Sequence, residues 1–328
     1  MSHHHLTPSE RVEIYKLFTQ ENCSRGEIAC RLGRDKGTIS RELRRNATEE
    51  GLYLPDTAQK KAEERRQNAK EKFQKVSEET VEEIRQGLQQ YHSPEQIVGR
   101  RKREEKETVS HETIYQMIYH DYNGLASCSK YLRRERPKRR LRQASPSKRG
   151  RIPNRVGIEN RPPIADLKVE IGHWESDTMI GGHHAGVLVT HVDKASKFLV
   201  ANLAKNKTAK AINAVTIEEF SYLPSSHHKT LTFDNGKEFS GHEELAQKLG
   251  VSCYFANPYH SWERGLNEHT NGMLRQFFPK GTNFKILSPD AVKKAVDLLN
   301  DRPRKSLDYR TPSEVFYSQR SETVAFQT

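Results

Sequence analysis

The fold of this 328-residue chain is decided by residues 171–204, which contain IGHWESDTMI (171–180), GVLVTHVD (186–193) and KFLVANLA (197–204). Their apolar and β-branched composition predicts three consecutive strands, and the short glycine-containing or polar turns between them favour an antiparallel meander. The segments that follow are predicted as a helix, a strand, a helix, a strand and a helix: 208–223, 229–234, 241–250, 251–257 and 261–278. This order predicts an α/β domain with a mixed five-stranded sheet flanked by helices.

Three carboxylates lie on different predicted elements of this domain. Asp177 is in the first strand, Asp234 ends a later strand at an Asp-Asn-Gly turn, and Glu268 follows on a helix after 33 intervening residues. An acid in a central strand is costly unless it is paired or binds a metal. Three hard oxygen ligands suit Mg²⁺ or Mn²⁺, and two such ions about 4 Å apart can support phosphoryl transfer. Taken singly, Asp234 is equally consistent with a turn residue and Glu268 with a surface acid.

The N-terminal residues 8–46 are predicted to form three short helices. Pro8 suits the first helical position, Ser24 and Glu27 form a capping box, and Gly33 suits a turn. Ala29, Gly33 and Ile39 have the spacing of a helix-turn-helix signature. The third helix presents side chains that suit phosphates and major-groove base edges: Lys36, Thr38, Ser40, Arg41, Arg44 and Arg45. The alternative is an ordinary helical hairpin with solvated arginines.

Two further helical regions follow. Residues 57–75 are highly charged and predict an exposed connecting helix. Residues 77–122 repeat the N-terminal pattern, with helix starts at Ser93 and Ser110, but without a turn glycine. A second DNA-reading unit and a purely structural bundle are equally consistent with this region.

Residues 123–165 predict a basic linker. Between 133 and 155 there are eleven Lys or Arg residues and one acid, and Arg139, Arg140 and Arg142 are candidate phosphate contacts. The whole chain has a net charge of +12, and residues 1–165 hold 35 of the 55 basic side chains against 24 of the 43 acids. Such an excess predicts a polyanionic partner, with a solvated spacer as the alternative.

Other features exclude several classes of protein. The four cysteines form no C-x-x-C pair, which favours reduced thiols over zinc ligands or disulfides. No apolar run approaches 18 residues, and no signal peptide opens the chain. The sequence therefore predicts a cytoplasmic protein.

Several long motifs resemble the transposases of insertion sequence family 30, within the larger set of Asp-Asp-Glu transposases and integrases. They are LTPSERVEIYKL, GTISRELRRN, GHWESDTMIGG, TFDNGKEF, YHSWERGLNEHTNGMLRQFFPKGTNF and NDRPRKSLDYRTPSEVF. The resemblance implies a ribonuclease-H-like catalytic domain, two divalent ions and binding to terminal inverted repeats. By the family pattern, Asp177, Asp234 and Glu268 are the metal ligands. The chain departs from that pattern at Ser176, where glycine is more usual, and at Asp193, where glutamate is common.

These observations give an expected organisation and function. The expected domains are a helix-turn-helix domain (1–48), a connecting helix (49–76), a second helical domain (77–122), the basic linker (123–165) and the catalytic domain with its helical tail (166–328). The expected function is metal-dependent DNA strand cleavage and 3′-OH strand transfer by a homodimer acting on double-stranded DNA. Candidate phosphate contacts near the acids are Lys237, Arg264, Arg275 and Lys280. The alternatives are a DNA-binding regulator with an inactive nuclease-like domain and a metal nuclease without strand joining.

Overall fold

The computed structural model describes residues 5–70, 76–133, 152–258 and 260–325. The chain divides into two compact units, Met1–Ser77 and Glu78–Thr328. Within the described ranges, no helix combines the length and the apolar character needed to cross a bilayer.

The first unit is a small helical domain, and the helices predicted over 8–46 are confirmed. The segment predicted as an exposed connecting helix over 57–75 is helical in its described part, but its Ala58 is buried in the core of this unit. Its helices are α1 (Pro8–Tyr15), α2 (Arg25–Arg31), α3 (Lys36–Asn46) and α4 (Pro55–Lys70). The predicted capping box of Ser24 and Glu27 starts α2. Gly33 has a φ of +60°, so the turn between α2 and α3 uses the left-handed conformation that glycine adopts without strain.

The core of this unit is formed by the inward faces of α1, α2 and α3. Ile14, Ile28 and Ile39 are fully buried there and pack in one cluster. A buried ion pair between Arg11 and Glu42, at 2.8 Å, joins α1 to α3. The helix-turn-helix arrangement is therefore fixed by both apolar packing and a specific polar contact.

The second unit begins with three helices in the region predicted to be helical, α5 (Glu78–Gln89), α6 (Pro94–Arg103) and α7 (His111–Tyr119). A 3₁₀-helical segment (Tyr122–Tyr131) and α8 (Ile164–Leu167) follow, in the stretch that was predicted to be a linker. Ser93 caps α6 and Ser110 caps α7, as predicted. Leu125 and Cys128 are buried, so the segment assigned to a basic linker begins with packed helical structure.

Five strands and five helices complete this unit in the predicted order. The strands are β1 (His173–Ile180), β2 (Val187–Asp193), β3 (Leu199–Ala204), β4 (Thr230–Phe233) and β5 (Ser252–Phe255). The helices are α9 (Ala209–Ser221), α10 (His242–Leu249), α11 (Gly265–Leu274), α12 (Pro289–Asn300) and α13 (Pro312–Ala325).

The strands form one mixed sheet in the order β3-β2-β1-β4-β5. The β1–β2 and β2–β3 pairs are antiparallel, whereas β1–β4 and β4–β5 are parallel. This is the ribonuclease-H-like arrangement, so the predicted sheet is confirmed. One face, with Trp174 and Phe233, packs on α9 and α10, and the other, with Met179 and Leu188, packs on α11 and α12.

The helices α5–α7 and the C-terminal segment are joined by close contacts within this unit. A Cβ atom built on Gly99 of α6 would lie 2.1 Å from the ring of Tyr309, so only glycine allows this approach. Beside it, the guanidinium of Arg100 forms two hydrogen bonds of 2.7 Å with the carboxylate of Glu314 in α13. The region predicted as a second helical domain thus packs directly on the end of the chain.

Candidate active site

The sheet register places two of the three predicted acids side by side. Glu175 of β1 pairs with Thr232 of β4 in the parallel ladder. Asp177 and Asp234 each lie two residues beyond that pair. Two residues are one repeat of a strand, so both side chains reach the same edge of the sheet. This edge is the carboxyl end of the parallel strands, where α/β sheets commonly bind ligands.

Asp177 is held by three different donors. The backbone N–H of Thr178 donates to its Oδ1 at 2.8 Å, and the Asn271 side chain donates to its Oδ2 at 3.0 Å. A guanidinium nitrogen of Arg264 lies 3.2 Å from the same Oδ2. Burial raises the pKa of Asp177, and Arg264 and the Thr178 N–H act against that rise.

Asp234 ends β4 in the predicted turn. The backbone N–H of Gly236 donates to its Oδ1 at 2.8 Å, which closes the turn on the side chain. The other guanidinium nitrogen of Arg264 lies 3.6 Å from its Oδ2. One guanidinium therefore stands between Asp177 and Asp234, in contact with both.

The third predicted acid, Glu268, is exposed on α11. Across the described parts of the chain, no set of three or more His, Cys, Asp or Glu side chains is arranged to hold a metal ion. The structure thus brings Asp177 and Asp234 together through Arg264, and it places Glu268 on the exposed side of α11.

Helix α11 is fixed against the sheet by two asparagines that sequence reasoning missed. The Asn267 backbone N–H donates to the Glu175 carboxylate at 3.0 Å, and its side chain donates to the Glu175 carbonyl at 2.8 Å. Thr190 of β2 donates to the side-chain oxygens of Asn267 and Asn271, at 3.2 and 3.1 Å. These bonds satisfy polar groups in the sheet and set the rotation of the helix beside Asp177.

A fourth acid near the site was also missed. Glu238 is buried, accepts a hydrogen bond of 3.2 Å from Thr178 and pairs with Lys207 at 2.9 Å. Its charge contributes to the raised pKa of Asp177. The available signal was its position four residues after Asp234 in the motif TFDNGKEF.

Comparison with known proteins adds an independent line of evidence. A family model described as a helix-turn-helix domain matches residues 2–46. The chain is 40% identical to "Transposase for insertion sequence element IS4351" of Bacteroides fragilis, over 95% of each chain. It is 33% identical to "Transposase InsI for insertion sequence element IS30A" of Escherichia coli, over 95% of this chain and 83% of that one.

The chain belongs to the insertion sequence family 30 transposases. The family resemblance seen in the sequence is therefore confirmed, and the protein is a DNA transposase. Among solved structures, the catalytic core domain of BIV integrase is similar with a TM-score of 0.38 and 19% identity, over 46% of this chain and 97% of that chain.

The two departures from the family pattern have structural explanations in the transposase. The Ser176 hydroxyl shares a 2.8 Å hydrogen bond with His191, on the sheet face opposite Asp177. Asp193 accepts hydrogen bonds from the backbone N–H groups of Gly172, Ala195 and Ser196, at 2.9, 3.1 and 2.7 Å. Both residues therefore stabilise the sheet and its turns.

The predicted DNA contacts have different surroundings. On α3, Lys36, Arg41, Arg44 and Arg45 are exposed, while Thr38 and Ser40 are half-buried. Near the acids, Lys237 and Lys280 are exposed. Arg139, Arg140 and Arg142 lie outside the described residues.

Two of the predicted phosphate contacts are used inside the protein. Arg264 lies between the aspartates, and Arg275 reaches the carbonyls of Phe278 and Pro279 at 3.4 and 3.5 Å, just after α11 ends. The helix predicted over 261–278 begins instead as a 3₁₀ turn, Ser261–Arg264. The backbone of Arg264 is not helical, with φ −129° and ψ 31°, and this break is followed at once by α11.

Proposed function

We propose that the transposase binds the terminal inverted repeats of its element through α3 and cuts and joins DNA strands at Asp177, Asp234 and Glu268. Two Mg²⁺ or Mn²⁺ ions per site would be the cofactors. The protein would act as a homodimer on DNA in the bacterial cytoplasm, because two element ends must be joined in one complex.

The observation that carries this proposal is the guanidinium of Arg264 between Asp177 and Asp234, at 3.2 and 3.6 Å. Two carboxylates from adjacent parallel strands already share one cation at this edge of the sheet. Their oxygens are the hard donors that Mg²⁺ and Mn²⁺ prefer, so the residues present fit such ions. Arg264 marks the place where positive charge is stabilised.

When bound, the ions would supply activation of a water or 3′-OH nucleophile and stabilisation of the leaving oxygen. The protein's own residues would hold and orient them. The N–H groups of Thr178 and Gly236 fix one oxygen of each aspartate and leave the other toward Arg264. Glu268, on α11, would supply the third carboxylate. Arg264 would then be available to a phosphate of the DNA.

The exposed lysine and arginine side chains of α3 support the DNA-binding part of the proposal. Their side chains alternate with the buried Ile39 and Leu43, so the helix packs by one face and presents the other. Arginine and lysine on such a face suit phosphates and guanine edges in the major groove. This geometry favours α3 as the helix that reads the inverted repeat.

Strand cleavage tests the proposed active site. In Asp177→Asn, cleavage of a labelled inverted-repeat end with Mg²⁺ should fall about 10³-fold, because metal assistance contributes several kcal/mol to such reactions. The matched control is Glu218→Gln, which removes an exposed acid from α9. Equal cleavage by Asp177→Asn and the parent protein would overturn the assignment of Asp177, whereas binding of the labelled end without cleavage by the parent would favour a DNA-binding regulator.

A second substrate separates a transposase from a simple nuclease. A pre-cut end with a free 3′-OH, mixed with a target plasmid and Mg²⁺, should give joined product with the parent protein. Asp177→Asn should give none. Cleavage of the intact end without any joining of the pre-cut end would indicate a metal nuclease that does not transfer strands.

A further inference from the structure

Three arginines from two separate segments meet beside α11. Arg133 follows the 3₁₀ segment, and Arg302 and Arg304 lie in the connection between α12 and α13. Arg302 is only 4% exposed. Burial, followed by the charge of Arg133, lowers the pKa of Arg302 to about 10. Burial, followed by the charges of Arg302 and Arg133, lowers the pKa of Arg304 to about 9. Their guanidinium groups lie along one stretch of the chain, beside Gly272, Met273 and Gln276.

No carboxylate among the described residues forms an ion pair with any of the three. Arg302 donates to the Gln276 side chain at 3.4 Å, and Arg304 donates to the Leu299 carbonyl at 2.8 Å. The Nε atoms of Arg302 and Arg304 are buried and have no hydrogen-bond partner. Buried cations without an acid are costly, so their presence needs a compensating interaction.

Other buried arginines of the same unit are each paired with a carboxylate. Arg161 is also nearly inaccessible, and it pairs with the carboxylate of Asp166 at 2.5 Å. On α6, Arg101 is buried beside Glu83 in the same way. The arginine cluster beside α11 therefore differs from these arginines in lacking an acid.

The cluster lies one helical turn from Glu268. A Cβ atom built on Gly272 would be 3.3 Å from a guanidinium nitrogen of Arg133, and Gly272 is four residues after Glu268 on the same face of α11. Arg304 contacts Met273 at 2.7 Å on the next position of the helix. In the sequence, residues 134–142 follow Arg133 directly and include six Lys or Arg residues.

Guanidinium groups bind phosphate well because their planar N–H donors match two phosphate oxygens at once. We propose that Arg133, Arg302 and Arg304 form a binding site for a backbone phosphate of the DNA, on the flank of α11 that adjoins Glu268. The site would hold the DNA strand as it passes the catalytic acids. This proposal rests on the proposed DNA strand chemistry at Glu268, but its test measures binding alone.

The test is the salt dependence of DNA binding by the full-length protein. Arg302→Met should weaken binding about tenfold to both an inverted-repeat duplex and a scrambled duplex of equal length, because a phosphate contact carries no sequence information. The slope of log affinity against log salt should become less steep by about 1. An unchanged slope would overturn the proposal. Arg133→Gln, at an exposed residue, should give the same change of slope without disturbing the core.

Thermal unfolding distinguishes a phosphate-binding arginine from one that only stabilises the fold. Arg302→Met should keep or raise the melting temperature, because it removes a buried charge with no acid partner. The matched control Arg100→Met breaks the contacts with Glu314 and should lower the melting temperature while leaving the salt slope unchanged. A lower melting temperature in Arg302→Met together with an unchanged slope would assign Arg302 to the fold.

Two further measurements distinguish a DNA phosphate from the other groups that the arginine cluster could contact. If inorganic phosphate at constant ionic strength stabilises the parent but the DNA slope of Arg302→Met is unchanged, the cluster binds free phosphate and the proposal fails. If Arg302→Met changes only sedimentation of the DNA-free protein, the cluster contacts a second copy and the proposal also fails. Cleavage by Asp177→Asn is measured separately, so failure of the catalytic assignment is distinguishable.

Discussion

The two three-helix regions, α1–α3 and α5–α7, have similar helical structure but differ in the charge that their third helices expose. In both, a serine caps the second helix through a capping box, Ser24 for α2 and Ser93 for α6. In both, the third helix is anchored by a fully buried isoleucine, Ile39 or Ile114. The two regions therefore show the same pattern of capping residues and apolar positions in the sequence.

Charge separates them. The third helix of the first region presents Lys36, Arg41, Arg44 and Arg45, and none of these four forms an ion pair with another described side chain. The third helix of the second region, HETIYQMIY, contains no Lys or Arg.

The arginines of the second region lie on α5 and α6 and are paired. On α5, Arg85 contacts Glu82. On α6, Arg100 contacts Glu314, Arg101 contacts Glu83, and Arg103 contacts Asp308. We infer that α1–α3 reads DNA and that α5–α7 braces the C-terminal part of the catalytic unit. Helical pattern specifies the packing of such a region, whereas unpaired surface charge specifies its partner.

The largest expected difference is in DNA binding. Arg41→Ala combined with Arg44→Ala should weaken binding to the inverted-repeat duplex about 100-fold, since each base or phosphate contact contributes roughly 1–3 kcal/mol. Tyr115→Ala combined with Gln116→Ala on α7 should leave it within about twofold. Fluorescence anisotropy with labelled duplex measures both, and a larger loss from the α7 pair would reverse the assignment.

A smaller difference should appear with pH. Burial, followed by the charge of Arg302, lowers the pKa of His92 in the second region to about 4 from 6.5. The unfolded chain then binds more protons than the folded one as the pH falls from about 6.5 to about 4, so the second unit loses stability across that window, by about 2 kcal/mol at pH 5.

In the first region, Glu10 has a pKa lowered to about 2 from 4.5, chiefly by its hydrogen bond with Arg34. Its contribution is present above pH 4.5 and is lost as the pH falls from about 4.5 to about 2. Both tryptophans, Trp174 and Trp262, lie in the second unit, so urea unfolding followed by tryptophan fluorescence reports that unit.

The midpoint of this urea transition should fall between pH 7 and pH 5, and His92→Gln should reduce the fall. Burial also lowers the pKa of His191, to about 3, and this acts in the same direction, whereas burial raises the pKa values of Asp177 and Asp193, which act in the opposite direction. An equal change of midpoint between pH 7 and pH 5 in His92→Gln and in the parent protein would contradict the assignment of His92.

The smallest difference concerns the matched helix caps. Ser24→Ala and Ser93→Ala should each destabilise their helix by about 1 kcal/mol. Hydrogen exchange should therefore speed up in α2 for the first variant and in α6 for the second. Adding the inverted-repeat duplex should slow exchange again in α2 only, because a ligand stabilises the region that binds it. Protection of α6 by the duplex would place a DNA contact in the second region.

Much of the fold could be predicted because its signals are local. Capping residues set the starts of α2, α6 and α7, Gly33 supplied the turn before α3, and apolar runs marked the five strands. The catalytic segment was less predictable at its ends. The helix expected over 261–278 is limited to Gly265–Leu274, because the chain leaves helical geometry at Arg264.

The site shows the same division. The three acids were predicted from their element types and from the family motifs, whereas their hydrogen-bond and ion-pair partners were not. Asn267 and Asn271 stood among other polar helix residues, and only the packing of α11 shows that they bond to Glu175, Asp177 and Thr190. Arg264 was predicted to contact a DNA phosphate. Its position between two aspartates could not be predicted, because it depends on the parallel register of β1 and β4.

The sequence by itself determined which segments become helices and strands, which helix carries a basic face, and which acids are candidates for catalysis. These properties depend on side-chain periodicity, caps and turns, which act over a few residues. Only the tertiary structure decided which charges are neutralised and which are left without an acid. Pairing depends on distances between residues far apart in the chain, such as Arg100 and Glu314 or Arg264 and Asp177, and the sheet register and helix packing set those distances.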